Sequence, residues 1–288
     1  MSIPHNGVLN VCKQGGWTSH DVVARVRRLA GQKRVGHAGT LDPMAEGVLP
    51  VLLGRATRLA ELVQTGEKRY RADVRLGVAT STDDVEGEVV AEGAVPPFER
   101  ARVEDALGRF RGTIQQVPPA YSAVKVHGQR AYTLARHGVS PDLRPREVTI
   151  SELGLLDYST ERLVLDVRCS RGTYVRALAR DLAVALGTVG HLTRLVRTAV
   201  GPFRIEDALT LDQLADRRVD AAVLPADAAL PDAPTYVADA AETTRLLNGQ
   251  SVPTSLRANN VWVRDPEGHL LCLASADGEA LRSRVLLA

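Results

Sequence analysis

Cysteine is scarce in this chain of 288 residues: Cys12, Cys169 and Cys272 are odd in number and far apart. That argues against a disulfide framework or a cysteine-built metal cluster, and it suits a reducing compartment. Long apolar runs are also missing, since none approaches the ~18 residues that a membrane helix needs. The opening residues, MSIPHNGVLN, lack a basic segment followed by an apolar one. No signal peptide and no membrane contact are therefore expected, and the expected location is cytoplasmic. No GxGxxG, P-loop, HExxH or CxxC pattern occurs, which leaves dinucleotide, nucleoside-triphosphate and zinc chemistry without their usual motifs. Asp83, Asp84, Glu86 and Glu88 lack the spacing of a calcium-binding loop and are read as a solvated hairpin. No metal and no cofactor is expected. Neither sign of charge dominates, and a net charge of +2 falls short of the footprint of a dedicated nucleic-acid binder.

What is present is an ordinary globular composition, 44% hydrophobic and 24% charged, in a chain long enough for one large domain or two unequal ones. The charges are unevenly placed. Arg25, Arg27, Arg28, Lys33 and Arg34 stand together without a carboxylate among them. Lys125, Arg130, Arg136, Arg144 and Arg146 face only Asp142, whereas residues 206–242 are strongly acidic. Basic patches on a nearly neutral chain are compatible with a polyanion touching one face, although such runs are often merely solvated.

The stretch that organises the rest is GHAGTLDPMAEGVLPV, residues 36–51. The apolar run that closes it, Val48 to Leu53, is short and bounded by Gly47 and Gly54, which predicts a buried strand. Asp42 then sits in a loop entering the core. Pro43 keeps Asp42 out of the α region, and the glycines permit a tight turn or the close approach of a ligand backbone. A carboxylate so placed, with His37 five residues earlier, is a candidate nucleophile or general base. Its structural alternative is an Asx-turn.

Other elements read more conventionally. Residues 7–11 form a strand, and Thr18 with Asp21 is a capping box that opens a helix burying Val22, Val26, Leu29 and Ala30. Lys13, just before it, is either a solvent lysine or a phosphate or active-site contact. A short helix is expected over 55–64 and an amphipathic one over 98–110. In Lys68 to Leu76, Tyr70, Ala72, Val74 and Leu76 alternate with Arg69, Arg71, Asp73 and Arg75, the clearest strand in the chain. By physics alone, Tyr70 is a core-facing ring at the start of that strand. The segment QVPPAYSAVKVHGQRAY, residues 116–132, interleaves prolines, aromatics and cations, the mixture that stacks on bases and pairs with phosphates. Thr173 can cap a helix that places Arg176 in its first turn, where a cation opposes the helix dipole and calls for a partner. A second Thr-Leu-Asp, at 210–212, lacks the flanking glycines and proline and reads as a helix start.

Four of these stretches, in this order, resemble the TruB family of tRNA pseudouridine synthases: GHAGTLDP, Lys68-Arg69-Tyr70, PPAYSAVK and GTYVR. The resemblance covers roughly residues 7–205. Cys12 and Gln14 depart from the family's opening, while Lys13 matches it. The implied fold is α+β, the pseudouridine synthase fold, with a mixed, largely antiparallel sheet. Residues 1–230 would be the catalytic domain, with an RNA-gripping insertion at about 115–146. Residues 231–288 would be a small β-rich domain similar to the PUA type.

By the same resemblance, Asp42 is the nucleophile and Arg176 pairs with it, a neighbour that favours the ionised carboxylate. Tyr70 stacks on the target base and relays a proton. His37, Lys13, Tyr174, Leu195, Tyr121, Lys125 and Arg130 would contact substrate or RNA. The implied reaction is isomerisation of uridine 55 in the T-loop of tRNA to pseudouridine, with tRNA as the partner, no guide RNA, no obligatory protein partner and a monomeric enzyme. The competing readings are a non-catalytic tRNA-binding or folding protein on the same fold, a guide-dependent relative, and a hydrolase using Asp42 as phosphate acceptor. The last lacks its metal-binding carboxylate pair.

Overall fold

The structure, a computed structural model, describes residues 5–122, 124–126, 128–139 and 141–288. Its frame is a sheet whose main path has seven strands: β1 (Gly7–Lys13), β2 (Glu46–Leu53), β3 (Lys68–Leu76), β4 (Gly112–Gln116), β5 (Arg146–Tyr158), β6 (Arg162–Cys169) and β7 (Gly190–Val200). Their order across the sheet is β1-β2-β7-β3-β6-β5-β4, and the short strands Val35–His37 and Phe203–Arg204 pair beside β2 and β7. Every neighbour on that path is antiparallel except β2 with β7. The mixed, largely antiparallel sheet expected from the resemblance is what the chain forms.

Alternation builds this sheet. In β3, Tyr70, Ala72, Val74 and Leu76 are buried, and Arg69, Arg71 and Arg75 are exposed. The buried face meets two helices, α1 (Ser19–Ala30) and α2 (Val175–Ala185), in one core that also holds Leu41, Leu195, Val22, Val26, Leu178 and Leu182. Thr18 caps α1 with Asp21 in a capping box, as its sequence predicts, and Gly31 closes the helix in the left-handed region. The expected helix over 98–110 is present as Arg100–Gly108, burying Val103, Ala106 and Leu107. The expected helix over 55–64 begins as a 3-10 turn, Gly54–Leu59, and continues as Ala60–Thr65. Thr210 caps the helix Leu211–Asp216, so the second Thr-Leu-Asp is a helix start.

From Thr235 onward a separate five-stranded sheet forms, with β8 (Thr235–Val237), β9 (Val252–Pro253), β10 (Arg257–Arg264), β11 (Leu270–Asp277) and β12 (Ala280–Leu286) in the order β8-β10-β11-β12-β9. It has its own interior around Leu246, Val261, Val263 and Cys272. On its other side Trp262, Leu273 and Leu287 pack with Val8, Val48, Leu52 and Leu59 in a shared core. The indole N–H of Trp262 donates to the Leu230 carbonyl at 2.9 Å, satisfying the one polar group the ring buries. Among the described residues, no helix is long and apolar enough to cross a membrane.

Trp262 is thus the tail's main anchor on the large sheet. Trp262→Ala should lower the unfolding free energy by about 3–5 kcal/mol, read from urea denaturation. A loss under about 1 kcal/mol would show that the two sheets do not depend on this contact.

Candidate active site

Asp42 stands in the loop between Val35–His37 and β2, and that loop is held at almost every residue. The Ser19 hydroxyl, at the start of α1, donates to the Leu41 carbonyl at 3.1 Å and accepts from the Leu41 N–H at 2.9 Å. The Pro43 carbonyl accepts from the Gly16 N–H at 2.9 Å and from Lys13 Nζ at 3.0 Å. Arg197, on β7, donates to the carbonyls of Gly39 at 2.9 Å, Thr40 at 3.3 Å and Val48 at 2.7 Å. Gly47 lets β2 and β7 come this close: its φ is +100°, and a Cβ there would lie 2.2 Å from the Arg197 carbonyl oxygen. The close approach that the glycines allow is therefore made, at Gly47, by the protein's own backbone.

The carboxylate itself meets Arg176. Arg176 Nε lies 3.0 Å from Asp42 Oδ2, with the arginine side chain 7% exposed and the aspartate 38% exposed. The same guanidinium reaches Asp84 Oδ2 at 3.2 Å and donates to the carbonyls of Thr82 at 2.9 Å and Tyr121 at 3.1 Å. One buried cation thus ties α2 to the Asp42 loop, to the turn after residue 80 and to the 116–132 segment. Asp84 is only 2% exposed. Its Oδ1 accepts from the Thr82 hydroxyl at 2.5 Å and from the Glu86 N–H at 3.0 Å. Asp83 has φ +60° and meets Arg180 at 2.8 Å. The solvated-hairpin reading of this acidic group is therefore corrected: its first two carboxylates are turned inward onto arginines. The carboxyl of Glu86 is pushed up by burial and by Asp84 and Asp42.

Tyr70 is buried in β3, with Leu195 in the same core. Arg197 is its register partner on β7; burial pushes the phenol up, and the guanidinium acts against that shift. Lys13 is fully buried, and its Nζ donates to the carbonyls of Gln14 at 3.0 Å, Trp17 at 2.6 Å and Pro43 at 3.0 Å. An ammonium has three donors and all three are taken. The expected phosphate contact is corrected on that ground: Lys13 lies under the Asp42 loop. Burial lowers its pKa. His37 flanks the loop edge-on to His20, with ring centroids 5.5 Å apart, and its Nδ1 is buried without a partner. Burial holds this imidazole below its ordinary pKa.

Tyr174, rather than Thr173, is the N-cap of α2. The Thr173 hydroxyl donates to the Ser170 carbonyl, and the Gln116 side chain brackets the Tyr174 backbone, accepting from its N–H at 2.8 Å and donating to its carbonyl at 3.1 Å. Lys125 is exposed in a two-residue ladder with Gln129–Arg130. The side chain of Arg130 lies outside the described residues. The one group of His, Cys, Asp and Glu among the described residues with metal-ligand proximity is Asp265, Glu267 and His269, in the turn between β10 and β11. There His269 Nδ1 already meets Asp265 Oδ2 at 2.9 Å.

Removing Arg176 would leave Asp84 charged and unpaired in the interior. Arg176→Met should therefore cost about 3–5 kcal/mol of stability, measured by urea denaturation. Asp84→Asn should cost less, because the amide oxygen still accepts from the Glu86 N–H.

Residues 27–175 match the model of the TruB family pseudouridylate synthase, N-terminal domain, and residues 176–231 match that of the tRNA pseudouridylate synthase B C-terminal domain. A tRNA pseudouridine synthase B of Caldanaerobacter subterraneus is 42% identical over 284 residues, 98% of this chain and 99% of its own length. The namesake from Thermobifida fusca is 47% identical, covering 93% of this chain and 94% of its own length. A crystal structure of a Cbf5-Nop10-Gar1 complex aligns with a TM-score of 0.75 at 26% identity, over 98% of this chain and 85% of that one. The chain belongs to the TruB family of pseudouridylate synthases.

Proposed function

We propose that this chain converts uridine 55 in the T-loop of tRNA to pseudouridine, acting without a guide RNA, as a monomer and in the cytoplasm. The observation that carries the reading is the half-exposed Asp42 carboxylate on a pinned loop, paired at 3.0 Å with a buried guanidinium. The reaction has to open one bond and close another at a single nucleotide. The target uridine leaves its stack at a cost of a few kcal/mol. His37 lines the mouth of the loop, and Tyr70 and Leu195 offer the apolar surface that receives the extruded base.

Asp42 attacks either C1′ of the ribose or C6 of the ring. The C1′–N1 bond breaks, the base turns, C5 joins C1′, and the C5 proton is lost with the aspartate restored. The Tyr70 hydroxyl is the group suited to relay that proton, passing its own to water as it accepts the one leaving C5. Arg176 orients the Asp42 carboxylate and balances its charge, so the nucleophile is preorganised before substrate arrives. Atoms balance throughout, so no oxidant, metal or cofactor enters. Tyr121, Tyr174, Lys125 and Arg130 belong to the side of the cleft that grips the stem-loop, within the 115–146 insertion and at the start of α2. We assign residues 231–288 to an RNA-contacting platform of the PUA type, appended to a catalytic domain over 1–230.

The test uses an unmodified tRNA transcript, carbodiimide labelling and primer extension. The wild type should give a stop at uridine 55, and Asp42→Asn should abolish it, with a rate loss of at least about 10³-fold. Intact tRNA binding without any stop would favour a non-catalytic tRNA-binding protein instead. Lys125→Glu should weaken tRNA binding about 3-fold or more, chiefly at low salt, and leave the single-turnover rate unchanged.

A further inference from the structure

Arg197 was not singled out by its sequence, yet among the described residues it is one of the largest fully buried side chains, at 1% exposure. Burying a guanidinium is expensive, and such groups are normally paired with a carboxylate. Among the described residues no carboxylate forms an ion pair with it. Its donors go instead to the Val48, Gly39 and Thr40 carbonyls, and across the sheet it is the register partner of Tyr70 on β3. A core arginine placed only for packing would have no reason to converge on the two segments that carry the reacting groups. Gly39 and Thr40 immediately precede Leu41 and Asp42, while Tyr70 comes from another strand, and in the sheet β7 lies between β2 and β3.

We propose that Arg197 is a positioning residue for the reaction, one rigid donor fork that holds the Asp42 loop in register with Tyr70, the residue paired with Arg197 across the strands. The fork geometry matters: a planar guanidinium reaches the carbonyls of Gly39, Thr40 and Val48 at once in a fixed arrangement, and a lysine ammonium on a flexible stem does not. The same fork fixes the spacing between the nucleophile and the proton acceptor, where a displacement of ~1 Å costs on the order of 10²-fold in rate. The inference rests on the assignment of Asp42 and Tyr70 to the reaction, and on nothing further about the RNA.

The experiment measures single-turnover pseudouridine formation and tRNA affinity for wild type, Arg197→Lys, Arg197→Met, Tyr70→Phe and the two double variants. Arg197→Met should lose about 100-fold in rate with tRNA affinity within about 3-fold of wild type, and Arg197→Lys should recover part of that loss. Each double variant should lose less than the product of its single losses, because Arg197 acts in part by placing Tyr70. If Arg197→Met does not fold, Arg197→Lys carries the test alone, with a rate loss of about 10-fold or more at unchanged affinity and the same shortfall in its double variant. A wild-type rate in Arg197→Lys and Arg197→Met overturns the proposal, as does a loss confined to affinity or one that multiplies fully with Tyr70→Phe. A wild type inactive on tRNA, or an active Asp42→Asn, would instead overturn the assignment of the reaction or of its nucleophile, so the two failures are separable.

Discussion

A carboxylate that is to react must remain open to substrate, and the loop that presents it must be rigid without being buried. The Arg176 guanidinium reconciles these demands. It takes its permanent counter-charge from Asp84, which is sealed in the interior, and offers a further N–H to Asp42, which is not. Because Asp84 and the carbonyls of Thr82 and Tyr121 already fix the guanidinium, Asp42 is oriented by a partner that loses little further freedom on pairing. Much of the architecture follows from bringing those acceptors together: α2 must abut the turn after residue 80, and Gln116, Val117 and Tyr121 must lie against α2.

The second constraint is the parallel contact between β2 and β7, a short one in an otherwise antiparallel path. It places Arg197 against Gly47 so tightly that no side chain fits at Gly47. From this contact the Arg197 side chain reaches back to the Asp42 loop. Lys13 supports the same loop from β1, and Ser19 from α1. With Arg176 of α2 on Asp42, four elements thus converge on five consecutive residues, 39–43.

Local chemistry was legible in the sequence wherever it depended on near neighbours. The Tyr70 alternation, the Thr18–Asp21 capping box and the helix start at Thr210 all follow from residues within one or two turns, and all appear as read. The motif residues of the family located Asp42 and its pairing with Arg176. What sequence did not reveal are the buried charges. Asp84 sits in a run that looks solvated, Lys13 looks like a solvent or phosphate lysine, and Arg197 alternates with Val196 on a strand like any surface arginine. Whether a charge is buried depends on acceptors that arrive from elsewhere in the fold, such as the Val48 carbonyl 149 residues before Arg197. The one local signal was Arg176 in the first turn of a helix, where the dipole opposes a cation and a partner is required. Trp262 was equally silent, because the core it completes is drawn from β1, β2, the turns after β2 and residues 200–229.

The central claim is that the Asp42 carboxylate makes the bond that frees the base from its sugar. It is tested most directly by tritium release from tRNA carrying 5-tritiated uridine, since the C5 hydrogen leaves only if isomerisation is completed. The account predicts release into water by the wild type, and a loss of at least about 10³-fold in Asp42→Asn at undiminished tRNA binding. Release by Asp42→Asn at the wild-type rate would contradict it and assign the chemistry to another group in the cleft.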